Sequence, residues 1–203
     1  MKNATTLATA LAMSLFWTCS AQPKDELRET VRRLEERVAV LEARLEPFLA
    51  RMAVEELQAK AKIRMQQDVK TYSRDELIGI NDLYRAASKE WGSEEAKESC
   101  KQLIAQYGKA NRAGCAVLYL ARMTKGDEQI HWLTEAITDF SDCCYADGVQ
   151  VGAYARFVLA QRHREDGKVA EADTLLAEVR TRYPNAIEHN QRRLVEIWEA
   201  EAL

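Results

Sequence analysis

The sequence predicts an all-α protein, and three observations carry that expectation. Only eight Gly and three Pro are spread over 203 residues, too few to build the tight turns of a sheet protein. Ala, Leu, Glu, Arg and Lys, which are strong helix formers, dominate every long stretch. From Leu27 to Phe48, apolar residues recur at alternating spacings of four and three, the period of a helix seam. A content of 47% apolar and 30% charged residues is ordinary for a chain that buries a core. The formal net charge is -3 with both signs interspersed, whereas nucleic acid demands a concentrated basic patch.

Residues 1–21 read as a secretory signal. Lys2 supplies the positive start, Ala4 to Trp17 form a moderately apolar stretch, and Cys19, Ser20 and Ala21 offer small residues for cleavage before Gln22. About fourteen apolar or small residues cannot span the roughly 30 Å hydrocarbon core of a bilayer. Export to the periplasm is therefore expected. The stretch Leu15 to Gln22 also resembles a bacterial lipoprotein signal, in which Cys19 would become the lipidated first residue. It departs from that pattern at Phe16 and Thr18, where Leu and a small residue are usual.

Residues 22–48 form a coiled-coil stalk. Leu27, Leu34, Leu41 and Phe48 fall at d, and Val31, Val38 and Leu45 at a, a pattern that suits a parallel homodimer and leaves a homotrimer open. In this register Arg37 at g faces Glu42 at the following e position of a parallel partner. Pro47 removes a helical amide donor and is expected to kink or end the seam. Residues 49–72 stay helix-forming but lose the heptad phase, so they read as a helical connector with a domain boundary near residue 71.

The third region, residues 73–203, opens on a capping box, Ser73-Arg74-Asp75-Glu76. Between Ala153 and Pro184 it carries Leu159, Ala160, Gly167, Ala172, Val179 and the closing Tyr183-Pro184-Asn185. This segment resembles a tetratricopeptide repeat. In that family a small residue late in helix A packs on a small residue of helix B twelve positions later, and a Pro ends helix B after twelve more; Ala160, Ala172 and Pro184 keep both intervals. Leu120 and Ala121 match Leu159 and Ala160, and Ala136 precedes Ala160 by 24. A third copy contains Leu83, Tyr84, Ala87, Gly92, Ala96 and Leu103, with Tyr84 where a small residue is usual. Ile187 to Ala200, with Leu194, Ile197 and Trp198, fits a capping helix. The resemblance implies a short right-handed α-solenoid of helical hairpins. The order of signal, coiled coil and repeats is similar to that of periplasmic cell-division coordinators of the Tol-Pal type, whose long polar linker is absent here.

The family binds peptides or proteins in the concave face of its A helices. Carried across, the groove positions are Asn81 and Arg85, then Arg122 and Lys125, then Tyr154, Phe157, Gln161 and Arg164. That lining is polar and basic with an aromatic edge, and arginine forks match carboxylates, so an acidic protein or peptide partner is expected.

Cys100 and Cys115 lie about equally far before and after the turn near Gly108, level across a helical hairpin, and a disulfide between them is the favoured pairing. Cys143 and Cys144 force no chemistry. Phosphate loops, zinc-protease motifs and nucleophile elbows are missing from the sequence, and His131, His163 and His189 stand at spacings that suggest no metal site. No catalytic residue, cofactor or metal is therefore assigned. The sequence points to a non-enzymatic interaction scaffold of the cell envelope. The alternatives are an outer-membrane lipoprotein subunit of an assembly machine and an enzyme with a dispersed site.

Overall fold

The computed structural model describes residues 22–201, with side chains from Lys24 onward; the signal segment and Cys19 lie outside the described residues. Eight helices make up the described chain: α1 (Gln22–Thr71), α2 (Arg74–Lys89), α3 (Glu94–Tyr107), α4 (Asn111–Met123), α5 (Gly126–Thr138), α6 (Val151–Glu165), α7 (Val169–Arg182) and α8 (Leu194–Glu201). The predicted all-helical class holds. None of these helices is long and apolar enough to cross a membrane.

The chain divides into two units, one ending at Ala50 and one beginning at Arg51. The first is the N-terminal part of α1. Its seam residues are exposed, from 44% at Val31 to 63% at Leu27. The helix does not stop at Pro47 but continues to Thr71. Proline leaves one carbonyl, that of Ala43, without its amide donor, and that stretch is exposed, so water can satisfy it.

In the second unit each helix from α2 to α7 packs on the one that follows it, and α2 also touches α4, as α4 touches α6. The helices α2, α4 and α6 thus form one row. α4 is the centre of the core. From Ala113 to Leu118 every residue is buried, as are Leu120 and Ala121, and small side chains let its neighbours approach. At Gly114 an added Cβ would stand 2.5 Å from Cys143 Cβ, and at Gly152 it would overlap Ser141. These two glycines admit the connection between α5 and α6 against the starts of α4 and α6.

Local signals set the helix ends. Ser73 and Glu76 form the expected reciprocal cap on α2, and the Ser73 amide holds the Glu76 carboxyl below its ordinary range. Gly92 and Gly167 turn the chain at φ of 86° and 76°, where a side chain would be strained. The start of α4 is capped from afar. Ala110 has no polar side chain to cap with, and the Asn111 backbone amide donates to Asp68 Oδ2 at 2.9 Å. Arg64 donates to Asp68 Oδ1 at 2.9 Å, to Asp142 Oδ2 at 2.8 Å and to the Lys109 carbonyl at 3.0 Å. Residues 51–71 are therefore not a connector. Their Leu57, Ala61 and Asp68 are buried within the second unit, so that unit starts about twenty residues before the expected boundary near residue 71.

The connections after α5 and α7 share one backbone design. In the first, the Tyr145 amide donates to Val149 O, Gly148 to Tyr145 O and Val151 to Cys143 O; in the second, 43 residues later, Glu188 donates to Arg192 O, Gln191 to Glu188 O and Leu194 to Ala186 O. Each makes an isolated antiparallel bridge, Cys144 with Gln150 and Ile187 with Arg193. Val149 and Ile187, the residues these loops turn inward, pack with Leu57 of α1. The last helix begins at Leu194, so Ile187 belongs to this loop rather than to the helix expected from Ile187 onward.

Candidate functional site

A cavity of about 450 Å³ opens over α4 beside the end of α2, closed along one side by Met65 of α1 and by the two matching loops. Its floor is one face of α4. Asn111, Arg112, Cys115, Tyr119 and Arg122 recur at the spacing that brings side chains to one side of a helix. From the preceding hairpin come Tyr84, late in α2, and Trp91, in the turn beyond it; the loops add Tyr145, Asp147 and His189.

Fixed contacts hold this lining. The buried Asn111 carboxamide clamps the backbone of Cys144, donating to its carbonyl at 2.7 Å and accepting its amide at 2.8 Å. Tyr145 donates its hydroxyl to the Cys115 carbonyl at 3.0 Å, and burial raises its phenol well above the ordinary value. The hydroxyls of Tyr84 and Tyr119 are hydrogen-bonded at 2.8 Å, and burial also raises the phenol of Tyr84. Both phenols therefore stay neutral donors at physiological pH. At the rim His189 Nδ1 meets Asp147 Oδ2 at 2.7 Å, linking the two loops, while the His189 ring stands edge-on to Tyr145.

Of the eight groove residues expected from the family resemblance, Arg122 lines this cavity. Asn81 is half-buried and Arg85 exposed on α2, while Lys125 is exposed at the start of α5. Tyr154 is half-buried, with its ring 6.0 Å from that of His189. The remaining three do not form an open groove because α8 covers them. Phe157 is 4% exposed and packs edge-on against Trp198. Gln161 donates to Glu201, as does Arg164 at 2.7 Å, with the Arg164 guanidinium 4.1 Å over the Trp198 ring. The last helix of the chain thus occupies the end of the row at α6.

The residues missed include Tyr84, Trp91, Arg112, Tyr119, Tyr145 and His189. Arg112 and Tyr119 carried a usable signal, since they share the α4 face with Arg122. Tyr145 and His189 carried none, because loop residues bear no periodicity.

The favoured pairing of Cys100 with Cys115 is not formed, and all four described cysteines are free buried thiols. Cys115 instead points its Sγ toward the Cys144 carbonyl at 3.7 Å. Burial pushes the Cys100 and Cys143 thiols up to about 12 and that of Cys144 up to about 11. Thiols so placed behave as small apolar side chains rather than nucleophiles. Among the described residues, no three His, Cys, Asp or Glu side chains gather as a metal-holding group.

Compared with family models, curated proteins and solved structures, the chain finds no match.

Proposed function

We propose that this chain is an exported, non-enzymatic adaptor of the bacterial cell envelope. Its N-terminal helix self-associates through residues 27–48, and its C-terminal unit is a tetratricopeptide-type stack that holds a protein or peptide partner in the cavity over α4. The observation that carries the reading is that cavity. It is open, carries the rings of Tyr84, Trp91, Tyr119 and Tyr145 and is bordered by Arg112 and Arg122, which suits a partner segment with apolar and acidic side chains. The exposed seam supports the stalk, since seven large apolar residues at heptad spacing stay in water unless another helix covers them.

Site-specific photo-crosslinking in the full chain tests the reading. A photoreactive residue at Tyr119 should give a discrete protein adduct in the envelope fraction, and the adduct should disappear when Arg112 and Arg122 are both changed to Ala. A crosslinker at Thr174, exposed on α7, should give none. Equal adducts from both positions would sink the cavity as the partner site.

A second reading makes the chain an outer-membrane lipoprotein subunit of an envelope assembly machine, motivated by Cys19 in the signal segment. Mass spectrometry of the mature N-terminus separates the two: a diacylated Cys19 supports the lipoprotein, and a free Gln22 excludes it.

A further inference from the structure

Five side chains line up across the cavity as cation, ring, ring, ring and cation. The Arg112 guanidinium lies 4.7 Å from the centre of Tyr84, Tyr84 stacks on Tyr119 at 5.2 Å, Tyr119 meets Trp91 edge-on at 5.0 Å, and Arg122 lies 5.3 Å over Trp91. Other arginines of this unit answer to acids: Arg64 to Asp68 and Asp142, Arg156 to Glu178, and Arg164 to Glu201. Among the described residues, Arg112 and Arg122 have ring faces as partners and no acidic side chain. Asp147, the carboxylate in the cavity lining, is taken by His189. The cavity is thus apolar along its middle and short of negative charge at both ends.

The spacing of those ends selects a shape. Arg112 and Arg122 are ten positions apart on α4, about 15 Å along its axis at roughly 1.5 Å per residue. An extended chain advances about 3.3 Å per residue and turns alternate side chains to the same side. Acidic residues at positions one and five of such a segment reach both guanidiniums, and the residue at position three then faces Tyr119 and Tyr145. We infer, resting on the adaptor reading, that the cavity recognises an extended peptide segment with two carboxylates four residues apart and an aromatic side chain midway between them. Nucleic acid suits the site less well, because bases need open ring faces to stack on, and Tyr84 is already packed against Arg112 and Tyr119, and Trp91 against Arg122.

The test is fluorescence anisotropy with the full chain and a labelled, end-blocked peptide of the pattern Glu-Ser-Phe-Ser-Glu. Saturable binding is expected, weakened about tenfold by Arg112→Gln and by Arg122→Gln, as loss of one charge-assisted contact implies. Arg164→Gln, whose guanidinium is already held by Glu201, should leave the affinity unchanged. The peptide with Lys in place of both Glu should not bind the wild-type chain, and should bind the double variant Arg112→Glu, Arg122→Glu. That charge swap keeps the test decisive should a neutral variant be poorly folded, which circular dichroism would reveal. Equal binding of the Lys peptide, tighter binding of an oligothymidylate of similar length, or no saturable binding of the Glu peptide overturns the inference. If the peptide fails while the Tyr119 crosslink to a partner persists, this ligand chemistry falls and the adaptor reading stands.

Discussion

Between Gln22 and Ala50 the long helix leaves its seven seam residues at least 44% exposed, whereas between Arg51 and Thr71 it buries Leu57 and Ala61 to 5% and 0%. The two stretches belong to one unbroken helix of 50 residues and have similar helix-forming composition. They differ in what covers them. The second stretch meets Val149 and Ile187 from the two matching loops and ties its Asp68 to the start of α4; the first carries a heptad seam that no part of the described chain covers. Periodicity tells which side of a helix is apolar, but the identity of the covering surface has to come from elsewhere.

The contrast predicts that changes to the second stretch damage the C-terminal unit and changes to the first do not. The largest loss is expected from Asp68→Ala. This removes the cap of α4 and the buried partner of Arg64, whose other acid, Asp142, is largely exposed, while both side chains of the Arg64–Asp68 pair are nearly buried at 13% and 11% exposure. Breaking one partner of a buried pair costs about 3–5 kcal/mol. Urea denaturation followed by circular dichroism measures it, and a loss under about 1 kcal/mol would mean that residues 51–71 are an appendage after all. Next comes Leu57→Ala, which empties the contact with Val149 and Ile187 and should cost about 2–4 kcal/mol.

A smaller effect is chemical. Burial raises Cys100, Cys143 and Cys144 from the ordinary 9.0 to between about 11 and 12, and Cys115 well above it. Raised pKa values on acids mean that folding favours the neutral thiols. Their contribution to stability is complete below pH 9 and is lost as the pH climbs through 11 to 12. At pH 8, alkylation in the native chain should be about a hundredfold slower than in urea at Cys144, about a thousandfold slower at Cys100 and Cys143, and slowed in the same direction at Cys115, because the thiolate fraction falls tenfold per unit. Rapid native labelling of any of them would place that cysteine outside the core. Melting temperature should likewise begin to fall only above pH 9.

The sequence revealed what is local and concealed what is assembled from distant pieces. The capping box at Ser73, the turn glycines Gly92 and Gly167, and the apolar stripes of α4 to α7 announce themselves within a few residues. The buried role of Arg64 and Asp68 does not, since their partners lie 43 to 78 residues further on. The matched loops were hidden for another reason. Gly148 and Gln191 occupy the same left-handed corner at φ of 98° and 64°, yet as residue types they share nothing. At the site, Arg122 was legible from its place late in α4, on the same face as Arg112 and Tyr119. Phe157, Gln161 and Arg164 were read onto an open face because nothing in their own spacing discloses that α8 folds back over them.

The smallest effect on the C-terminal unit is expected from the seam itself. Leu34 and Leu41 are 52% and 55% exposed in the single chain, so replacing both with Asp removes no internal packing. The urea midpoint of the unit should move by no more than about 0.5 kcal/mol equivalent. Self-association should respond sharply, because two charges placed at consecutive d positions would be buried against their own copies in a dimer or trimer. Analytical ultracentrifugation should therefore report a concentration-dependent dimer or trimer for the wild-type chain and a monomer for Leu34→Asp with Leu41→Asp. A wild-type chain that sediments as a monomer at all concentrations would leave the exposed seam to a different protein, and the stalk would then be a docking helix rather than a means of assembly. Reversing Arg37 to Glu and Glu42 to Arg together should keep the oligomer, since the pair is preserved across the seam and exposed ion pairs contribute about 0.5 kcal/mol.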